Sequence, residues 1–83
     1  MVVHDLKTWP TYFDAVECGL KTFEVREDDR NFKEGDILVL REYNPNRKTY
    51  SGRVQLVKVN YICNLPFDSN YVGMSIERVD EIS

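Results

Sequence analysis

Gly19-Leu20-Lys21-Thr22-Phe23-Glu24-Val25-Arg26 holds the end of a helix and the start of a strand in one short run, and its reading decides the fold. The glycine can take the left-handed conformation that closes a helix without a Cβ penalty. Beyond it, Phe23 and Val25 alternate with Thr22, Glu24 and Arg26, the period of a half-buried strand. The alternation predicts an apolar face turned inward. The outward face would then carry a hydroxyl, a carboxylate and a guanidinium, a ligand-facing row.

Upstream, Val2 to Lys7 reads as a first strand, with Val2, His4 and Leu6 on one face and Val3, Asp5 and Lys7 on the other. Thr8 is placed to cap the next helix and Pro10 suits its first turn. Tyr12, Phe13, Val16 and Leu20 make its apolar stripe, with Asp14 and Glu17 outside it. Downstream, the second strand covers Thr22 to Glu27, and a polar loop runs from Asp28 to the Gly35-Asp36 turn. Ile37 to Tyr43 is a third strand, broken by Asn44-Pro45-Asn46; Gly52 to Ile62 is a fourth. A loop with Pro66 leads to a fifth, Tyr71 to Val79. One helix between the first two of five strands is an α+β pattern. On so short a chain, five strands expose two edges unless the sheet curls. A small, five-stranded, partly open β-barrel plugged by the helix is the economical expectation.

At 83 residues, read as a single domain over 1–83, the core is small. No apolar stretch approaches a membrane span and the start is no signal peptide, so a cytoplasmic protein without a membrane partner is expected. Cys18 and Cys63 have neither metal nor disulfide-framework spacing and read as small packed hydrophobes. The net charge of −3 argues against sequence-blind binding to a nucleic-acid backbone. The charge is uneven, because residues 41–67 carry Arg41, Arg47, Lys48, Arg53 and Lys58 against Glu42 alone. This basic hairpin either steers a phosphate-bearing partner or guards a sheet edge. His4, beside Val2 and Leu6, reads as a structural residue. Asp28 and Asp29 are flanked by Arg26 and Arg30, so charge pairing is expected there and no metal or cofactor.

Several motifs occur in order. Gly19, Lys21, Glu24 and Arg26 fill Gly-x-Lys-x-x-Glu-x-Arg directly after a short helix. Leu6-Lys7 and Pro10 precede it, and Phe32-Lys33-Glu34-Gly35-Asp36-Ile37-Leu38-Val39-Leu40 follows. This set resembles the ASCH (activating signal cointegrator homology) domains, a branch of the PUA-like β-barrels. With His4-Asp5-Leu6-Lys7, Tyr12-Phe13, Asp29-Arg30-Asn31-Phe32 and Tyr50-Ser51-Gly52-Arg53, it is most similar to a short stand-alone bacterial and phage version of the domain.

The resemblance implies RNA binding in a cleft between helix and barrel. In such a cleft Lys7, Lys21 and Arg26 supply cations for a phosphate or carbonyl, and Glu24 accepts from a base amino group or holds Arg26. Tyr12, Tyr43 and Tyr50 are stacking surfaces for an unpaired or modified base, and Arg30 and Arg53 are rim cations. The plainer reading makes Glu24 and Arg26 an exposed ion pair and lets Lys21 complement the helix C-terminus. Two alternatives stay open. One is a small hydrolase of a modified nucleoside or of RNA. ASCH-like amidohydrolases use a lysine, a threonine and a glutamate; Lys21 matches the lysine, but Glu24 stands at the nucleophile position and Glu77 is a loose match for the glutamate. The other is a protein-interaction module using a barrel edge or the basic hairpin.

Overall fold

The computed structural model describes residues 1–80. Strands β1 (Val3–Thr8), β2 (Phe23–Glu27), β3 (Ile37–Asn44), β4 (Thr49–Leu65) and β5 (Asp68–Val79) accompany one helix, α1 (Pro10–Glu17), between β1 and β2. The α+β composition is as expected. All five strands join one sheet in the order β1-β3-β4-β5-β2. β1 runs parallel to β3, and the other neighbours are antiparallel. No ladder joins β1 to β2, so the sheet is open and mixed, with these two strands as its edges.

Straight, the 17 residues of β4 would span about 56 Å. The molecule's longest dimension is 33 Å, so the strand has to bend. It does so near Gly52, at φ +93°, and at register shifts between Val59 and Tyr61 and between Asn64 and Leu65. Its first part pairs with β3 and its last with β5. The bend carries the two edges toward each other. Ile37 N–H donates to the Val2 carbonyl, so the alternate carbonyls of β1, on Asp5 and Lys7, lie on the free edge. Arginines from β2 and the loop after it reach them: Arg26 Nη2 donates to Lys7 O at 3.0 Å and Arg30 Nη1 to Asp5 O at 2.5 Å. An edge that would otherwise template pairing is thereby satisfied.

Leu38, Leu40, Val57 and Val59 are wholly buried at the centre of the sheet, and α1 adds Phe13 and Val16. The expected apolar stripe is only half right, because Tyr12 and Leu20 are exposed. The helix ends at Glu17, and Gly19 (φ +84°) turns the chain away before Leu20 can join its face. Polar ties hold the helix down. Gln55 Nε2 donates to Phe13 O, Arg78 Nη1 donates to Glu17 O, and Arg53 reaches Asp14, Glu17 and Glu42.

Other expectations need correcting. Thr8 does not cap α1: it is the buried last residue of β1, and Trp9 stands at the cap position with no side-chain hydrogen bond. Both cysteines are exposed and not packed. Cys18 lies at the helix C-cap and Cys63 near the end of β4, opposite Gly73. The faces of β2 are reversed. Glu24 is 3% exposed, whereas Phe23 and Val25 are about half exposed at 53% and 47%. β2 is an edge strand whose Glu24 and Arg26 lie opposite Met74 and Val72 of the core. Among the described residues no layer covers its other face, and paired cations make burial of the carboxylate tolerable.

His4 is a buried structural residue, as expected. Its Nε2 lies 2.9 Å from Asp36 Oδ2, and its ring meets Phe32 edge-on. Burial alone would raise the Asp36 carboxyl. Hydrogen bonds from His4 and from the backbone N–H groups of Lys33 and Val2, with the His4 charge, outweigh it and hold the group below its ordinary value. Among the described residues no helix is long and apolar enough to cross a membrane.

Candidate functional site

A groove of about 750 Å³ opens where the end of β1, the start of α1 and β2 converge. That size suits one small ligand. β1 contributes Lys7 and Thr8, α1 and its cap contribute Tyr12 and Trp9, and Tyr71 comes from β5. The remaining wall is the Lys21–Arg26 segment, through Lys21, Phe23, Glu24, Val25 and Arg26.

The spacing of this segment builds the centre. After Gly19, Lys21 N–H donates back to Ala15 O and fixes where the chain leaves the helix. Ile76 N–H then donates to Thr22 O and starts the pairing of β2 with β5. Glu24 and Arg26, two apart, share one face of the strand. Lys21 reaches the same carboxylate from before the strand. Its Nζ donates to Glu24 Oε1 at 2.5 Å, and Arg26 Nε donates to Oε2 at 2.9 Å. Arg26 also donates to Lys7 O, which ties the clamp to the opposite edge. Glu24 is therefore no exposed partner of Arg26, and Lys21 serves the carboxylate instead of the helix terminus.

Aromatic groups surround this charged floor. Lys21 Nζ lies 5.1 Å from the Phe23 ring centroid and 5.7 Å from that of Tyr12. Trp9 and Tyr12 stack with centroids 6.2 Å apart and planes 18° from parallel. Both are about half exposed, so a flat ligand can reach them. Lys7 Nζ stands 4.5 Å over the Tyr43 ring, and Tyr43 meets Tyr50 edge-on. The lining holds Lys7, Lys21 and Arg26 against the one carboxylate of Glu24, so the groove is electropositive on a chain of net charge −3.

Thr8 is a groove residue with unspent capacity. Its Oγ1 is sealed from solvent and finds no hydrogen-bond partner among the described residues. A buried hydroxyl left this way costs free energy.

The sequence-predicted residues separate into three places. Lys7, Tyr12, Lys21, Glu24 and Arg26 come together in the groove. Arg30 lies in the adjoining hollow, which also borders Lys7 and Arg26. Arg53 is elsewhere, bonded to Asp14, Glu17 and Glu42 beside the helix, and the Glu17 hydrogen bond holds its guanidinium above the ordinary value. Tyr50 borders the hollow and Tyr43 supports Lys7 from below. Thr22 is not among the groove-lining residues, nor is Glu77. Sequence reasoning missed Thr8, Trp9 and Tyr71. Trp9-Pro10 before a helix was a usable signal for the lip, whereas the approach of Tyr71 depends on the β5–β2 pairing, which local sequence does not encode.

One relative is the uncharacterized 12.9 kDa protein in the GpA 3′ region of Escherichia phage P2, 44% identical over 41 residues. The alignment spans 49% of this chain and only 38% of the phage protein. Residues 3–76, nearly the whole chain and the whole of the groove, match the family described as Domain of unknown function (DUF3850), and the chain belongs to that family.

Proposed function

We propose that this chain binds RNA or a nucleotide, a single-stranded or modified base in particular, in the groove between α1 and β2. One observation carries the reading: aromatic faces, including the stacked pair Trp9 and Tyr12, ring a floor on which Lys21 and Arg26 are ordered by one buried carboxylate and Lys7 stands beside them. Aromatic rings take the face of any unpaired base, and ordered cations take its carbonyls or phosphate. Glu24 has each oxygen engaged by one cation, and a carboxylate has further lone pairs with which to accept from a base amino group. The resemblance to ASCH domains supports the same ligand, and the convergence of β1 and β2 across the groove is what a PUA-like barrel with one open seam would need.

Trp9 is the chain's only tryptophan and stands on the lip, so binding has a built-in reporter. Titration with the four nucleoside 5′-monophosphates and short single-stranded RNAs is expected to quench its fluorescence. Lys21→Ala and Tyr12→Ala should each weaken the response. An unchanged Trp9 signal at millimolar nucleotide and RNA would refute the proposal.

A further inference from the structure

Resting on the groove as a nucleotide site, we infer that the hollow beside it is a phosphodiester shelf. There Lys7, Arg30 and Arg41 hold the backbone of a single-stranded oligonucleotide whose base occupies the groove.

The hollow is about 460 Å³ and is lined by Asp5, Lys7, Arg26, Arg30, Arg41 and Tyr50. It shares Lys7 and Arg26 with the groove, so the two form one continuous track. Arg26 is committed to Glu24, but Lys7 has no carboxylate partner among the described residues. Of the opposing anions, Asp5 pairs with Arg41 at 2.8 Å and Asp29 lies 4.0 Å from Arg30; both carboxylates are well exposed.

The cations are ordered before any ligand arrives. Arg30 is anchored on Asp5 O, Arg41 on Asp5 Oδ1, and Lys7 rests over Tyr43. A guanidinium has five N–H donors, and these anchors use a minority of them, which leaves forked donors for phosphate oxygens. Arg30 and Arg41 are nearly half exposed, so the donors are reachable. The anchoring carbonyls of Asp5 and Lys7 lie two residues apart on β1, roughly 7 Å. Arg26 and Arg30 thus stand in line along the strand edge, with Lys7 and Arg41 beside them, as a track. A track suits a connected chain of phosphodiesters better than one isolated phosphate. Local charge of this kind also explains how an acidic chain can take a polyanion.

Affinities would be measured for the four ribonucleosides and for fluorescein-labelled single-stranded RNA pentamers, each of one base, with amide shifts mapped on the unaltered protein. Nucleosides should shift Trp9, Tyr12 and Lys21 to Arg26, and pentamers should add Asp5, Arg30 and Arg41. Arg30→Gln with Arg41→Gln should weaken the tightest pentamer about tenfold, leave nucleoside binding unchanged, and flatten the salt dependence by about 0.7 for each phosphate the shelf no longer holds. Asp5→Asn should strengthen pentamer binding about threefold by removing the shelf's inner anion, a gain that no folding defect can imitate. If pentamers bind in the groove but neither variant changes their affinity or salt slope, the shelf is refuted and the groove stands. If neither nucleosides nor pentamers bind, both are refuted.

Discussion

Replacing Glu24 by glutamine is the most informative single change, because it leaves the shape of the clamp and removes only its charge. Its side chain is 4% exposed, while those of Lys21 and Arg26 are 17% and 27% exposed. Breaking a fully buried pair costs about 3–5 kcal/mol, because the surviving charge is stranded. Here both cations can rehydrate in part, so the expected loss is about 2 kcal/mol. In a chain of this size each kcal/mol moves Tm by roughly 4–8 °C, so Glu24→Gln should melt about 10 °C lower by circular dichroism at pH 7. Replacing all three groups with apolar residues, as Lys21→Met, Glu24→Leu and Arg26→Met, should recover most of that loss, because no buried charge remains. A Glu24→Gln variant within about 0.5 kcal/mol of the parent would show the clamp to be no stronger than a surface ion pair.

Thr8→Val should raise stability by about 1 kcal/mol by removing a buried hydroxyl with no partner among the described residues. A lower Tm would show that the hydroxyl has a partner in solution. The Asp36 carboxyl is held below its ordinary value of 3.8. Its stabilisation is therefore complete above the unfolded-state value and fades as pH falls through the lower folded-state value. Urea titrations from pH 7 to pH 2 should show that loss, and Asp36→Asn should remove it; an identical acid profile in the variant would contradict the assignment. Arg53→Gln should speed hydrogen exchange of the Phe13 amide, which donates to Trp9 O, because the helix loses its ties through Asp14 and Glu17. Unchanged exchange would mean that Gln55 and Arg78 suffice to hold it.

Local periodicity was enough to read all five strands and the helix between the first two, since Val57 and Val59, for example, alternate cleanly with exposed Lys58. The parallel pairing of β1 with β3 and the place of β2 beside β5 are non-local and carry no such signal. That gap explains the reversed faces of β2. Phe23 and Val25 look inward by composition, but Glu24 is carried onto the core face by its register with Met74 and kept there by Lys21 and Arg26. The same register gathers Lys21, Glu24 and Arg26 in one groove with Lys7, as the motif spacing suggested, while the spacing misjudged the burial of Glu24. Arg53 was misplaced for a similar reason: its exposed partners Asp14 and Glu17 are on the helix, 39 and 36 residues away in sequence.

One nucleotide-sized ligand is proposed to meet the Lys21–Glu24–Arg26 clamp. A titration of isotope-labelled protein with nucleoside 5′-monophosphates, read by amide and side-chain NMR, tests it most directly. Saturable shifts centred on Lys7, Lys21, Glu24 and Arg26 are expected. Absence of shifts at millimolar ligand, or shifts confined to Arg41 through Lys58, would contradict it.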